Sequence, residues 1–513
     1  MSYAQHNRRD FTKRLATGTA ALITGAGGAA NAQEAADRSD AVSEPTRLLP
    51  GADTPRLDSY ARHVRTAGKL TLDQFRFQEA ARDIPVAGRC DVLVCGGGPA
   101  GYAAALAAAR SGARTGLIEV NGCVGGVWTA GALSLIIDSK NKPGIMLELR
   151  RELDRLAAGH WVGSSIAYDP ETMKRLLEEK LIEAGVEIRL HTRIVGAVAD
   201  ERGKLSVVLT ESKSGREVWL AKAFVDCTGD GDLAAQAGCE FDLGDEAEKA
   251  TQPMSLMALF TGVETDGIAQ FIRGEAEPRG LGNPKANLLE EFRSAGVDPS
   301  YAGPTIFRIR HGFYAMMANH QYAALAIDAD HVTKATLEAR QEIHRLIGAL
   351  RRRGGPWAGI QLAATGEQIG TREGRRIRGL YRVSSDDLRL GSRFDDAICH
   401  VTFGIDVHST NPDKTKGIAA HPFRSKSYDI PLRALIARDV DGLMMAGRCI
   451  SGDFIAHSSY RVTGDAVTMG EAAGATSALA AISDASPRNV PFSDVSRQLA
   501  SVRAESETRA AAS

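Results

Sequence analysis

Cysteine is scarce in this chain of 513 residues, with only seven, an odd number. Cys90, Cys95, Cys123, Cys227, Cys239, Cys399 and Cys449 fit no zinc-ligand spacing and no disulfide framework, so no metal site is expected. Most read as small buried hydrophobes. Neither sign of charge is in excess: 62 basic against 63 acidic residues leave a net charge of −1. That balance excludes tracking along a phosphate backbone, which needs surplus Lys and Arg, so no nucleic acid partner is expected. No apolar run reaches the length of a membrane span, which argues against an integral membrane protein. Proline, at 18, is outnumbered by glycine, at 53, without a collagen period. What remains is an ordinary enzyme-like composition, 43% hydrophobic and 24% charged. The length is too great for one core and points to two or three structural units.

The first 32 residues resemble a bacterial twin-arginine export signal. Arg8-Arg9 is followed by a weakly apolar stretch from Leu15 to Ile23 and then by Ala30-Asn31-Ala32, a small-x-small cleavage pattern. Asn7 and Thr12 depart from the usual pattern, where Ser or Thr and Leu are common. The resemblance implies a periplasmic or otherwise exported protein. It also implies the twin-arginine translocase as a partner, a route that carries chains already folded around a cofactor. Residues 33–88 read as a linker and N-terminal extension, and 485–513 as a C-terminal tail.

The strongest signal begins at Asp91. Asp91-Val92-Leu93-Val94-Cys95 is a short apolar, β-branched strand, and Gly96-Gly97-Gly98-Pro99-Ala100-Gly101 follows at once. An Ala-rich helix over 102–110 leads to a second strand, Thr115–Glu119, which ends in an acid. Each part has a physical task. Gly96 permits the tight turn, Gly98 lets the backbone approach a pyrophosphate, and Gly101 lets helix pack on strand. The helix start offers free N–H groups to phosphate, and Glu119 can accept hydrogen bonds from ribose hydroxyls. Gly25–Ala30 also looks Gly-rich, but it lacks the second strand and acid and belongs to the export signal.

The fingerprint alone does not choose between FAD and NAD. Distant segments do: Phe224–Asp232 with its Gly-rich turn, Gly442–Arg448, Ser451-Gly452-Asp453, and the small-residue helix Val467–Gly474. Together they resemble a bacterial family of FAD-dependent oxidoreductases related to the glutathione reductase and hydroxylase superfamily, over about residues 88–482. Gly125-Gly126, Tyr168-Asp169-Pro170-Glu171, Gly370–Arg376, Gly404–His408 and Ile430-Pro431 also match, with Gly374 where the family usually has Ser. The resemblance implies FAD as cofactor. Gly96, Gly98, Pro99, Ala100 and Gly101 would hold the pyrophosphate, and Glu119 the adenosine ribose. Gly125 and Gly126 would pass close by, Thr228 and Gly229 would turn over the dinucleotide, and Gly447 and Asp453 would approach the ribityl side. A helix starting near Gly464 would aim its N-terminus at the flavin. The expected fold is α/β: a Rossmann-like FAD-binding domain (three-layer ββα) over 89–239 and 439–484, interleaved with a mixed α+β substrate domain over 240–438. No second G-x-G-x-x-G occurs, so a separate NAD(P)H domain is not expected.

For the chemistry, Ile398–His408 alternates with period two, which predicts one strand carrying His400, Thr402, Asp406 and His408 on one face. Such a face meets either solvent or a polar cavity. On the cavity reading, Asp406 orients His408 and raises its basicity, and His408 takes the substrate proton. Arg372, Arg375 and Arg376 form a second candidate group, able to hold a substrate carboxylate or a cofactor phosphate. His457 and Arg461 follow, and Cys123 is a candidate redox thiol. The function expected is an exported FAD-dependent oxidoreductase that moves a hydride between a small organic substrate and flavin N5, with a quinone, a cytochrome or oxygen as electron acceptor. A redox-neutral FAD enzyme (isomerase or dehydratase) and a non-catalytic flavin-binding protein are the alternatives.

Overall fold

Val92–Cys95 is wholly buried, and both of its edges are paired. It sits at the centre of a parallel sheet whose strands run in the spatial order Leu443–Met445, Ala223–Asp226, Val92–Cys95, Thr115–Ile118, Glu187–Arg189. The structure is a computed structural model that describes residues 67–71 and 76–512. The export signal of residues 1–32 lies outside them.

The helix Pro99–Arg110 follows the central strand and is buried along nearly its whole length. A side chain as large as Leu at every turn would not fit there, because a second helix, Thr463–Ile482, lies directly on it. A Cβ on Gly470 would stand 2.0 Å from the Ala100 carbonyl oxygen, and one on Gly474 would stand 2.1 Å from that of Ala104. The small residues of both segments therefore set a close interhelical approach. This seats the start of the 463–482 helix beside the glycine loop, where Gly447 comes within Cβ reach of both Ala100 and Ala466.

An antiparallel meander, Arg193–Ala199, Leu205–Ser212 and Gly215–Leu220, covers the sheet with buried Leu205, Val208 and Trp219. Its last strand also pairs in parallel with Val86–Arg89, so part of the 33–88 extension is sheet. The chain then crosses: Ala223–Asp226 leaves the meander and joins the parallel sheet. A second core lies within residues 254–369, around Phe260, Ile306, Tyr314, Leu346 and Trp357. Its sheet is antiparallel, in the order Thr305–Arg310, Phe313–Met317, Ala258–Thr261, Gln361–Thr365, and the amphipathic helix Ala329–Arg353 packs on it. Residues 377–437 return their apolar side chains to the first core.

Two expectations are corrected. Residues 485–513 are not a tail: Phe492–Ala512 is a helix that buries Val495, Leu499 and Val502, and Arg503 pairs with buried Glu471 at 2.6 Å. The stretch 398–408 is not one strand. Ala397–Val401 pairs with Tyr428–Pro431, and the chain then leaves the sheet until an isolated bridge at His408. Thr402 is drawn away by Asp138, which accepts from both its backbone N–H and its hydroxyl. Buried Lys142 holds Asp138 and Asp465 together, at 3.1 and 2.6 Å, and donates to the His400 carbonyl. This cluster ties the segment after Val401 to the first turn of the 463–482 helix.

Candidate active site

A cavity of about 1010 Å³ opens where the strands of the parallel sheet end and the second core begins. Gly96, Gly98, Pro99, Ala100, Glu119, Gly126, Thr228, Gly229 and Gly447 line one part of it. Gly96 adopts φ +98°, and a Cβ there would strike the Cys227 carbonyl. Gly101 does not line the cavity; it lies against the Gly96 carbonyl oxygen, 1.7 Å from where a Cβ would be, and so packs helix on strand. Gly125 also stays off the wall and packs against Thr129 and Leu177. Asp453 is a correction: it is no cavity residue but the N-cap of Phe454–Tyr460, accepting from Ala456 N–H at 2.7 Å and Ser385 N–H at 2.6 Å.

The groups on this wall fit FAD. A Cβ at Gly98 would meet nothing within 4 Å, which leaves open space at a helix N-terminus, where a pyrophosphate is stabilised. Glu119 is buried: its Oε1 accepts from Asn121 N–H at 2.8 Å and Asn121 Nδ2 at 2.7 Å, and its Oε2 accepts only from Gly97 N–H at 2.5 Å, which keeps a lone pair for a ribose hydroxyl. Thr228 is fixed over the loop by Asp226, which accepts its N–H at 3.0 Å and its hydroxyl at 2.7 Å. The 463–482 helix starts at Val462 with no side-chain cap, and among the described residues the buried Thr463 hydroxyl has no hydrogen-bond partner. Val462, Thr463 and Ala466 all line the cavity, so an uncapped, electropositive helix end faces into it.

The other part of the wall carries Asp406 and His408. The Asp406 side chain is 24% exposed toward the cavity, and His408 stands behind it at 6%. His408 Nε2 lies 3.4 Å from Asp406 Oδ2, and its Nδ1 lies 3.0 Å from His320 Nε2. His320 Nδ1 is in turn 3.1 Å from the Tyr322 hydroxyl. Tyr301 packs its ring on both imidazoles, at 4.1 and 5.5 Å between centroids. The chain of rings can run in two tautomeric directions, and only the first gives every ring nitrogen a hydrogen-bond partner. Tyr322 O–H can donate to His320, with His408 Nε2–H on Asp406. Alternatively Tyr322 donates to the Ser300 carbonyl at 3.4 Å, which leaves His408 Nε2 as an acceptor.

Burial and the nearby Arg372 guanidinium push His408 down to about 3, outweighing the opposite pull of Asp406. Asp406 raises the basicity of His408 as expected, but burial and Arg372 together outweigh that gain in the protein alone. Burial would raise Asp406, but His408, Arg461 and Arg372 together hold its carboxyl well below the usual range. Burial, Arg372 and His408 likewise hold His320 neutral. Arg461 anchors the site, donating to the Asp406 carbonyl at 2.7 Å, to its carboxylate at 3.3 Å and to Gln252 Oε1 at 3.0 Å. Gln252 Oε1 also accepts from the His408 N–H at 2.9 Å.

Of the remaining candidates, His400 is turned outward to Asp429 and Arg393. Arg375 pairs with Asp232, and Arg376 is buried against Glu373, so of that trio only Arg372 lines the cavity. His457 is fully buried off the wall. Cys123 is half-buried near Thr129, away from the cavity, and burial raises its thiol. Sequence reading missed His320, Arg273 and Lys285. They stand far apart in the chain and sit in no motif.

Several solved structures are similar to the chain at low identity. A geranylgeranyl bacteriochlorophyll reductase-like protein from Thermoplasma acidophilum is 13% identical with a TM-score of 0.39, over 82% of this chain and 83% of that one. A flavin-dependent brominase is 13% identical with a TM-score of 0.41, over 82% and 84%. An anhydrotetracycline hydroxylase from Streptomyces rimosus is 14% identical with a TM-score of 0.38, over 82% and 69%. No curated protein matches the chain. The family described as FAD dependent oxidoreductase matches residues 91–499, the span that builds both walls of the cavity, and the chain belongs to that family as an FAD-dependent enzyme.

Proposed function

We propose that the protein oxidises a small organic substrate, with His408 taking the proton that the substrate loses from oxygen or nitrogen. FAD, when bound, supplies the acceptor for the hydride that leaves carbon. Gly98, Glu119, Thr228 and the 463–482 helix start would hold it. The chain's own residues do the rest. Asp406 meets the substrate side of the cavity and stabilises the imidazolium that forms. His320 fixes the second nitrogen of the His408 ring, and Arg461 fixes the Asp406 backbone and carboxylate. The observation that carries this reading is the Asp406–His408–His320 chain on the wall of the same cavity as the dinucleotide loop.

Residues 8–9 and 30–32 support an exported enzyme, and a quinone, a cytochrome or oxygen is then a more accessible electron acceptor than a cytoplasmic nicotinamide. Stopped-flow bleaching of the flavin near 450 nm against alcohols, amines, sugars and hydroxy acids tests the reaction. With a substrate that bleaches wild type, His408→Ala is expected to slow reduction by about 10²- to 10⁴-fold with FAD retained, the usual range for general-base catalysis. Asp406→Asn is expected to slow it less. An unchanged rate in His408→Ala removes His408 from the mechanism.

A further inference from the structure

Beside the Asp406–His408 pair the cavity wall carries cations that form no ion pair among the described residues, though Asp406 lies near enough to act on Arg372 and Lys285. Arg372 donates to the Pro253 carbonyl at 2.6 Å, to Ser255 Oγ at 2.9 Å and to Met317 Sδ at 3.6 Å, all neutral acceptors. Arg273 and Lys285 also line the cavity, and among the described residues neither has a carboxylate within ion-pair distance. Of the acids on this side, Asp406 is engaged by Arg461, and exposed Glu277 accepts from the Gly274 N–H. Half-burying a guanidinium against neutral acceptors is costly without a counter-ion. Three such cations on one wall are therefore a complement to something negative that comes from outside the chain.

The dinucleotide phosphates are one source of negative charge, but the wall built by Gly98 and the helix Pro99–Arg110 already offers them N–H groups. Arg372, Arg273 and Lys285 stand elsewhere. Arg372 is bonded to residues 253–317, and Arg273 and Lys285 come from the same second-core segment. All three line the cavity with Tyr301 and Asp406 and lie close enough to act on the charge of one or the other. We propose that this wall is a carboxylate-binding subsite, and that the substrate is a small organic acid gripped by Arg372, Lys285 and Arg273 while its oxidisable carbon–heteroatom group meets Asp406 and His408. The assignment rests on the oxidase or dehydrogenase reading above and narrows it to one substrate class.

It also eases a tension in that reading. The guanidinium of Arg372 depresses both His408 and Asp406. A carboxylate bound among the cations offsets the part of the depression of His408 that comes from Arg372, while the larger part, from burial, stays.

The test is binding, not turnover, on the purified FAD-loaded protein. Malonate and succinate are titrated against malonamide and succinamide, with the flavin difference spectrum as readout. The acids are expected to bind and the amides not to. Arg372→Gln and Lys285→Gln are each expected to weaken acid binding by about 10- to 100-fold, as for loss of a charge-assisted bond, with flavin content unchanged. Lys285 is half-buried, so its variant keeps the test open if Arg372→Gln fails to fold. Amides binding as well as acids, or wild-type acid binding in a folded Arg372→Gln or in Lys285→Gln, overturns the subsite. Loss of FAD from either folded variant also overturns it, and assigns the cations to the cofactor phosphates. Acid binding with no compound able to bleach the flavin keeps the subsite and removes the oxidation reading. Bleaching by neutral alcohols or amines at a rate indifferent to Arg372→Gln does the reverse.

Discussion

At Gly98 the missing side chain leaves open space against the N-terminus of a helix, and in the proposed cofactor site this space is where backbone and pyrophosphate would approach. Gly98→Val fills it, so the folded variant is expected to lose its flavin, read from the visible spectrum of the purified protein. Wild-type flavin content would remove this loop from the cofactor site. The motif residue and its reason were both legible in the sequence. Asp453 shows the converse. An acid after Ser-Gly reads equally well as a cofactor contact or a helix cap, and only the position of Ala456 N–H and Ser385 N–H, both on its carboxylate, decides for the cap. Asp406 and His408 were legible as a pair two residues apart. The partner that holds the far side of the His408 ring, His320, is 88 residues away in a different core segment, and no local pattern announces it.

Among elements, the contact between Pro99–Arg110 and Thr463–Ile482 positions the cofactor wall. On an exposed helix, Gly→Ala is stabilising by about 1 kcal/mol. At Gly470 the opposite sign is expected. The new Cβ would have to clear the Ala100 carbonyl, 2.0 Å away, and overpacking of this kind costs about 1–3 kcal/mol. Denaturant unfolding of Gly470→Ala should show a lower midpoint, with weakened flavin retention because Ala100 lines the cavity. A variant as stable as wild type would show that the helices separate at little cost. The period-two pattern of 398–408 misled as to structure because alternation records only which side chains are polar. It does not record that the Asp138–Lys142–Asp465 cluster captures Thr402 and ends the pairing.

For the molecule as a whole, two cores share one cavity, and the chain reaches it from both ends: the loop at 96–101 and the helix start at 463. A site closed by segments so far apart requires a folded chain before the cofactor can be held, which suits an export route for folded proteins. Arg8→Lys with Arg9→Lys is expected to leave a folded, yellow protein in the cytoplasm, measured by fractionation and flavin absorbance. Efficient export of the double variant would remove the twin-arginine assignment.

By itself the sequence determined the parallel sheet, the dinucleotide loop and the family, because each rests on local rules: an apolar strand, a glycine at a forced φ, an acid at the end of the next strand. The tertiary structure decided which charges meet. Of three neighbouring arginines it turned one into the cavity and paired the other two elsewhere. It brought Arg273 and Lys285 to the same wall from a segment with no motif, and it set the titration of His408 by burial more than by its neighbour Asp406. Charge and desolvation act through space, so they could be read only after residues distant in the chain had been brought together.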